Sequence, residues 1–360
     1  FDGTEAVTVL VLVKVGSRYE PLPRWGGSHF IEHLMFKGTK RRPKTIDISR
    51  TLDRYGAQYN AYTGKDLTGY YVKIDREKTE VAIDLLHDML FHSKFEEAEM
   101  DRERRVIIEE IKMYEENPIM HLEDLLEDAL FEGGTLGRNI AGTAEGMLSI
   151  KREELINFRN KYYMPSEMVV VVAGNVPGNT EGFLENTFGS VEEKEKPSSF
   201  DIYGECKERE NTKVNIQMKP LKQIQLGFAF PSVGRGHKDI PTVKLMSYIL
   251  GGAMSSRLFI EVREKRGLCY AVGASAEAYG DIGVLSIRSG LDVGRTKEAS
   301  KTILEELEKI KSAGVTEEEL KEAKEHIEGS MKLSLENSSA RATFYARQEL
   351  FLDSVMSPEE

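Results

Sequence analysis

Alternating and helix-period patterns of apolar residues divide the chain into two runs of similar elements. Val7, Val9, Val11, Val13 and Val15 alternate with Thr8, Leu10, Leu12 and Lys14, which predicts a well-buried strand. A short helix is predicted over 28–36, ended by Gly38, and a second over 46–55. Residues 58–74, rich in Tyr, Thr and Val, read as a hairpin, and helical patterns follow over 76–91, 95–116 and 119–131. A buried strand is predicted at 168–173. The order then restarts, with a strand at 224–230, a helix at 241–250 and strands within 271–291 that turn at Gly280 and Gly283. Helices over 297–311 and 317–335 complete it. Sliding 94–112 by 220 positions lays it on 314–332, and each segment has an acidic start followed by a long amphipathic helix.

This repetition predicts an α+β protein of two homologous α/β-sandwich halves. Each would be a mostly antiparallel sheet packed against helices, related by internal duplication. Between them the composition changes to a charge run, Glu192 to Lys196, then Pro197, Ser198 and Ser199, then charges again up to Lys213. The expected division is 1–190, a linker over 191–213, and 214–360.

A length of 360 residues suits two domains. Lys plus Arg number 49 against 60 for Asp plus Glu, a net charge of -11, which argues against a nucleic-acid partner. Cys206 and Cys269 cannot build a disulfide framework, so a reducing compartment is expected. No apolar run approaches the ~20 residues of a membrane span. A cytoplasmic location is expected, with an organelle matrix the alternative if a targeting segment has been removed, because the sequence opens at Phe1.

The chemistry concentrates in His29, Glu32 and His33 on the first predicted helix. Residues four apart share a helix face, so the two imidazoles can chelate one zinc ion. Glu32 lies close enough to serve a metal-bound water. A third ligand is expected from the 95–116 helix, where Glu103 and Glu110 lie two turns apart on one face while Glu109 points about 100° away. Glu110 is taken as the ligand and Glu103 as the carboxylate that orients a histidine. A structural zinc site would instead be a closed, Cys-rich set of four.

The stretch Gly26-Gly-Ser-His-Phe-Ile-Glu-His-Leu-Met-Phe-Lys-Gly-Thr39 resembles the inverted zincins, the pitrilysin-type metallopeptidases that include insulin-degrading enzyme and mitochondrial processing peptidase. Gly-Ser-Arg-Tyr-Glu at 16–20 is most similar to the processing-peptidase subfamily and its bacterial relatives. Glu110 falls where the family's ligand glutamate stands. The resemblance implies one zinc per chain and a peptide substrate held by Asn60 and Ala61 on an edge strand. It also implies that Arg263 and Tyr270, seven apart, reach the substrate, with Arg266 a near decoy. A homodimer enclosing a closable chamber is implied as well. A scaffold relative would have lost the zinc set, which is complete here. The family module usually begins with a further strand and continues past Glu360, so truncation at both ends is expected. In the second half Ala323 and Ser330 stand 220 beyond Glu103 and Glu110, and no second metal site is expected.

Overall fold

In a computed structural model the described residues are 3–21, 26–193, 195, 197, 200, 202 and 212–359. Trp25, Cys206 and most of the 191–213 segment lie outside them. The first run of elements is β1 (Ala6–Val13), α1 (Gly27–Met35), α2 (Thr45–Asp53), β2 (Gln58–Thr63), β3 (Thr68–Asp75), α3 (Thr79–His92), α4 (Glu97–Glu116) and α5 (Pro118–Leu130). Then come α6 (Ala144–Ser149), α7 (Arg152–Tyr162), β4 (Met168–Gly174) and α8 (Thr180–Thr187). The second run is β5 (Gln223–Val233), α9 (Ile240–Gly251), β6 (Cys269–Ala278), β7 (Ile282–Asp292), α10 (Thr296–Ala313), α11 (Glu317–Ser334) and α12 (Ser338–Phe351).

These elements form two compact units, neither a continuous stretch of chain. The first comprises Phe1–Met113, Arg138–Phe200 and Met331–Glu360; the second comprises Tyr114–Gly137 and Asp201–Ser330. Each therefore includes one helix from the other's run: α12 lies in the first unit and α5 in the second.

In the first unit the sheet order is β2-β3-β1-β4, antiparallel throughout. The alternation in β1 resolves into two packed faces. Val7, Val9, Val11 and Val13 join Phe30, Ile31, Leu34, Ile83 and Ile107 in one core. Leu10 and Leu12 face the other way, onto Ala342, Ala346 and Leu350 of α12. Thr8, on that second face, hydrogen-bonds the Ser338 hydroxyl at 2.8 Å. A helix on each side explains why β1 is buried over nearly its whole length.

The second unit repeats the plan with the sheet β5-β7-β6, again antiparallel. Leu250, Val262, Ile287 and Ile303 form its core. Its other cluster joins Leu130 and Phe131 to Tyr279, Ile282 and Val284. The duplication extends to helix caps. Asp75 and Asp292 each accept from the backbone N–H two residues on, at the head of a single turn. Asn117 and Asn337, 220 apart, cap α5 and α12 in the same way. Among the described residues, no helix is long and apolar enough to cross a membrane.

Candidate metal centre and active site

Helix α1 is amphipathic in a particular sense. Phe30, Ile31, Leu34 and Met35 are fully buried on one face, which turns His29, Glu32 and His33 to the other. The helix starts at Gly26, whose φ of 85° is left-handed. A Cβ there would stand 2.5 Å from the Ala141 carbonyl oxygen, so only glycine fits. The free N–H groups of Gly27 and Ser28 donate to the buried Glu20 carboxylate at 3.1 and 2.8 Å. Burial lifts the Glu20 pKa to about 7, although those backbone donors favour its charged form.

Helix α4 buries Met100, Glu103, Ile107 and Ile111, and meets α1 through the carboxylates of Glu103 and Glu110. Oε2 of Glu110 lies 3.7 Å from Nε2 of His29 and 3.5 Å from Nε2 of His33. The three donor atoms fall within 4.8 Å of one another, and no other group of His, Cys, Asp or Glu converges so among the described residues. Zinc bonds of ~2.0–2.1 Å in a tetrahedron put donors about 3.3 Å apart, so the trio fits such an ion after a small contraction. Glu109 points elsewhere and pairs with Lys112 at 2.7 Å.

Glu103 sits behind the trio. Its Oε2 is 3.0 Å from Nδ1 of His33, and its Oε1 is 2.7 Å from the Lys37 ammonium. Burial pushes the Glu103 carboxyl upward, but His33 and Lys37 outweigh it and hold the pKa below the ordinary value. His33 reverses the pattern: burial pulls it down, yet Glu103 and Glu110 raise it to about 9. Burial, then the neighbouring His33, lowers His29 to about 4. Glu32 is raised, mainly by burial, and its Oε2 accepts the Thr63 hydroxyl at 2.5 Å.

Asn60 and Ala61 lie on β2, which pairs with β3 on one side and is the edge of its sheet. Ala61 is buried, and its N–H donates to the Asn60 side-chain oxygen at 2.9 Å. Arg263 and Tyr270 belong to the second unit. Arg263 lies on a π-helical turn, Phe259–Glu264, with its guanidinium 4.5 Å from the Phe259 ring centre and 5.6 Å from that of Tyr270. The β6–β7 register slips between Cys269 and Ala271, and Tyr270 at that bulge is 78% exposed. Arg266 is engaged by Glu261 at 2.7 Å.

Three further participants escaped the sequence reading. Lys37, one turn beyond His33, could have been found by helical spacing. Glu20 and Thr63 carry no local signal, because each meets α1 only through the fold.

Residues 2–144 match the family description "Insulinase (Peptidase family M16)", and residues 149–327 match "Peptidase M16 inactive domain". The "Uncharacterized zinc protease YmxG" of Bacillus subtilis is 38% identical over 96% of this chain and 83% of its own length. An "Uncharacterized zinc protease" of Streptomyces coelicolor is 31% identical over 99% of this chain and 78% of its own. Among solved structures, a protease from Helicobacter pylori superposes with a TM-score of 0.90 at 24% identity, covering 96% of this chain and 84% of that one. A putative M16-like peptidase from Alicyclobacillus acidocaldarius gives 0.84 at 19% identity, over 99% and 86%. The two structural likenesses support the two-half antiparallel fold; the sequence matches go further, and by them the chain belongs to the insulinase family of peptidases, M16.

Proposed function

We propose that the chain is a zinc-dependent endopeptidase acting on extended or unfolded peptides, with His29, His33 and Glu110 as metal ligands and Glu32 as general base. The observation that carries this reading is the convergence of two imidazole nitrogens and one carboxylate oxygen beside Glu32, a half-buried glutamate on the same helix face. Three protein donors of this kind, rather than four, are the pattern of catalytic zinc. When bound, the ion supplies Lewis acidity that polarises the scissile carbonyl and lowers the pKa of a coordinated water. The zinc protease names of the relatives support the choice of metal.

Glu32 takes the proton of the attacking water and later gives it to the departing amine. Glu103 accepts from Nδ1–H of His33, which keeps Nε2 free to ligate. Asn60 and Ala61 lie on the edge strand β2, to which an extended peptide adds as a further strand through main-chain hydrogen bonds once the Asn60 side chain gives up the Ala61 N–H. Arg263 and Tyr270 steady the substrate and the oxygen that gains charge. We expect a homodimer enclosing a closable chamber; sedimentation checks the dimer.

The test is hydrolysis of a quenched peptide by the purified protein before and after chelation, then with zinc restored. Activity that is lost and recovered with zinc supports the reading. Hydrolysis indifferent to chelation overturns it. Glu110→Gln should lose its metal on dialysis, measured as zinc per chain.

A further inference from the structure

Strand β2 meets α1 with alternate residues. Tyr59 stacks on Phe36 at 6.3 Å between ring centres, Ala61 is buried, and Thr63 reaches Glu32. The Thr63 hydroxyl donates to Glu32 Oε2 at 2.5 Å. A glutamate side chain has three rotatable bonds, and proton transfer requires one oxygen held at a set place. Engaging Oε2 in this way restricts how the carboxylate can turn.

Thr63 is itself anchored. It pairs with Thr68, and the turn between them closes through Gly64 N–H to Leu67 carbonyl at 2.8 Å. That turn is bolted to the end of β1: the Ser17 N–H donates to the Gly64 carbonyl at 3.1 Å, and the Thr68 hydroxyl to the Val15 carbonyl at 2.8 Å. A Cβ at Gly16 would stand 2.2 Å from the Gly64 oxygen, so the two backbones are in close contact. Buried charges hold the same turn. Arg18 pairs with Asp66 at 3.1 Å, and the Lys65 ammonium donates to the Arg138 carbonyl. A buried ion pair is poor value as a source of stability alone. It makes sense as a brace on the turn that sets Thr63.

We infer that Thr63 is a positioning residue that holds the Glu32 carboxylate for proton transfer, through a turn braced by Arg18, Asp66 and Lys65. The inference rests on Glu32 being the base. It also makes β2 serve two tasks, since the edge proposed to take the peptide ends in the residue that orients the base.

The experiment measures kcat, KM and zinc per chain for Thr63→Val, Thr63→Ser, Glu32→Gln and the Glu32→Gln/Thr63→Val double variant. Thr63→Val, which keeps the shape and loses the donor, should lower kcat about 10–100-fold with KM changed less than about twofold and zinc retained. Thr63→Ser should stay within about threefold of the unmodified enzyme. In the Glu32→Gln background, Thr63→Val should cost nothing further, because the two act through one step. Should Thr63→Val fail to fold, Thr63→Ala carries the same comparison without its shape. An unchanged kcat in Thr63→Val, a failure of Thr63→Ser to rescue, or an equal loss in the Glu32→Gln background overturns the inference. A Glu32→Gln enzyme as active as the unmodified one instead removes the base assignment beneath it.

Discussion

Glu103 in α4 is buried and ionised; 220 residues later, in α11, the corresponding Ala323 is just as buried and carries no charge. Glu110 likewise corresponds to Ser330, whose hydroxyl merely bonds back to the Ile327 carbonyl. Helix α9, with the sequence IPTVKLMSYILG, has no histidine and no carboxylate. The contrast reaches beyond His29, His33 and Glu110. Among the described residues the buried charged side chains of the first unit are Arg18, Glu20, Lys65, Asp66, Asp88, Glu103, Arg138 and Glu167. The second unit has Glu306. Buried charges cost desolvation that a well-packed apolar substitute avoids. Two copies of one plan thus differ in how many charges they bury, and several of the first unit's brace the turn after Thr63, orient His33 or hold the start of α1. Stability alone would not have placed them there.

Exchanging residues between the two units tests what the buried charges do. The largest effect is expected from Glu32→Gln, which should reduce kcat about 10²–10⁴-fold with zinc per chain unchanged. Wild-type turnover in that variant would remove the chemical reason for the first unit's buried charges. Next comes Ala323→Glu, which transplants a carboxylate into the second unit where no Lys37 or His33 equivalent meets it. It should destabilise the protein by about 3–5 kcal/mol, read by urea denaturation, and zinc should stay at one per chain.

Glu20 tests the pH dependence of the first unit. Its pKa in the folded protein, about 7, lies above the ordinary 4.5. The folded state therefore holds a proton more tightly than the unfolded chain. Its contribution to stability is complete below about 4.5 and is lost as pH rises through about 7. Glu20→Gln should abolish that decline, on the order of 2–3 kcal/mol between pH 4.5 and 7.5, followed by thermal melts across this range. A slope equal to that of the unmodified protein would show that the carboxyl titrates normally. The smallest effect is expected from Glu103→Gln. It should weaken zinc about 10–100-fold in a chelator competition while leaving the fold intact, since the site would keep its ligands and lose their support.

Much of this was legible along the chain. The β1 alternation, the hairpin at 58–74 and the 220-residue shift all correspond to observed elements, and Glu97 and Glu317 open their helices at that same interval. These are local periodicities, and they survive whatever surrounds them. Helix α12 was not anticipated. Its buried positions include Ala342 and Ala346, too small to stand out in a hydrophobic pattern, yet they cover Leu10 and Leu12 from more than 300 residues away. Helix α7 was missed as well; its sequence, REELINFRNKY, is mostly polar and buries Leu155 and Tyr162.

That two histidines and a glutamate share one helical face follows from the order of residues, because a 3.6-residue period fixes which side chains are neighbours within a helix. That order also puts Glu103 and Glu110 two turns apart on a second acidic helix. Packing in three dimensions brings Glu110 to both imidazoles, makes Lys37 and His33 share Glu103, and sets Thr63 and Glu20 against α1 at its middle and its start. Those contacts join segments distant in the chain, and their geometry depends on how sheet and helices pack; no period within either segment records it.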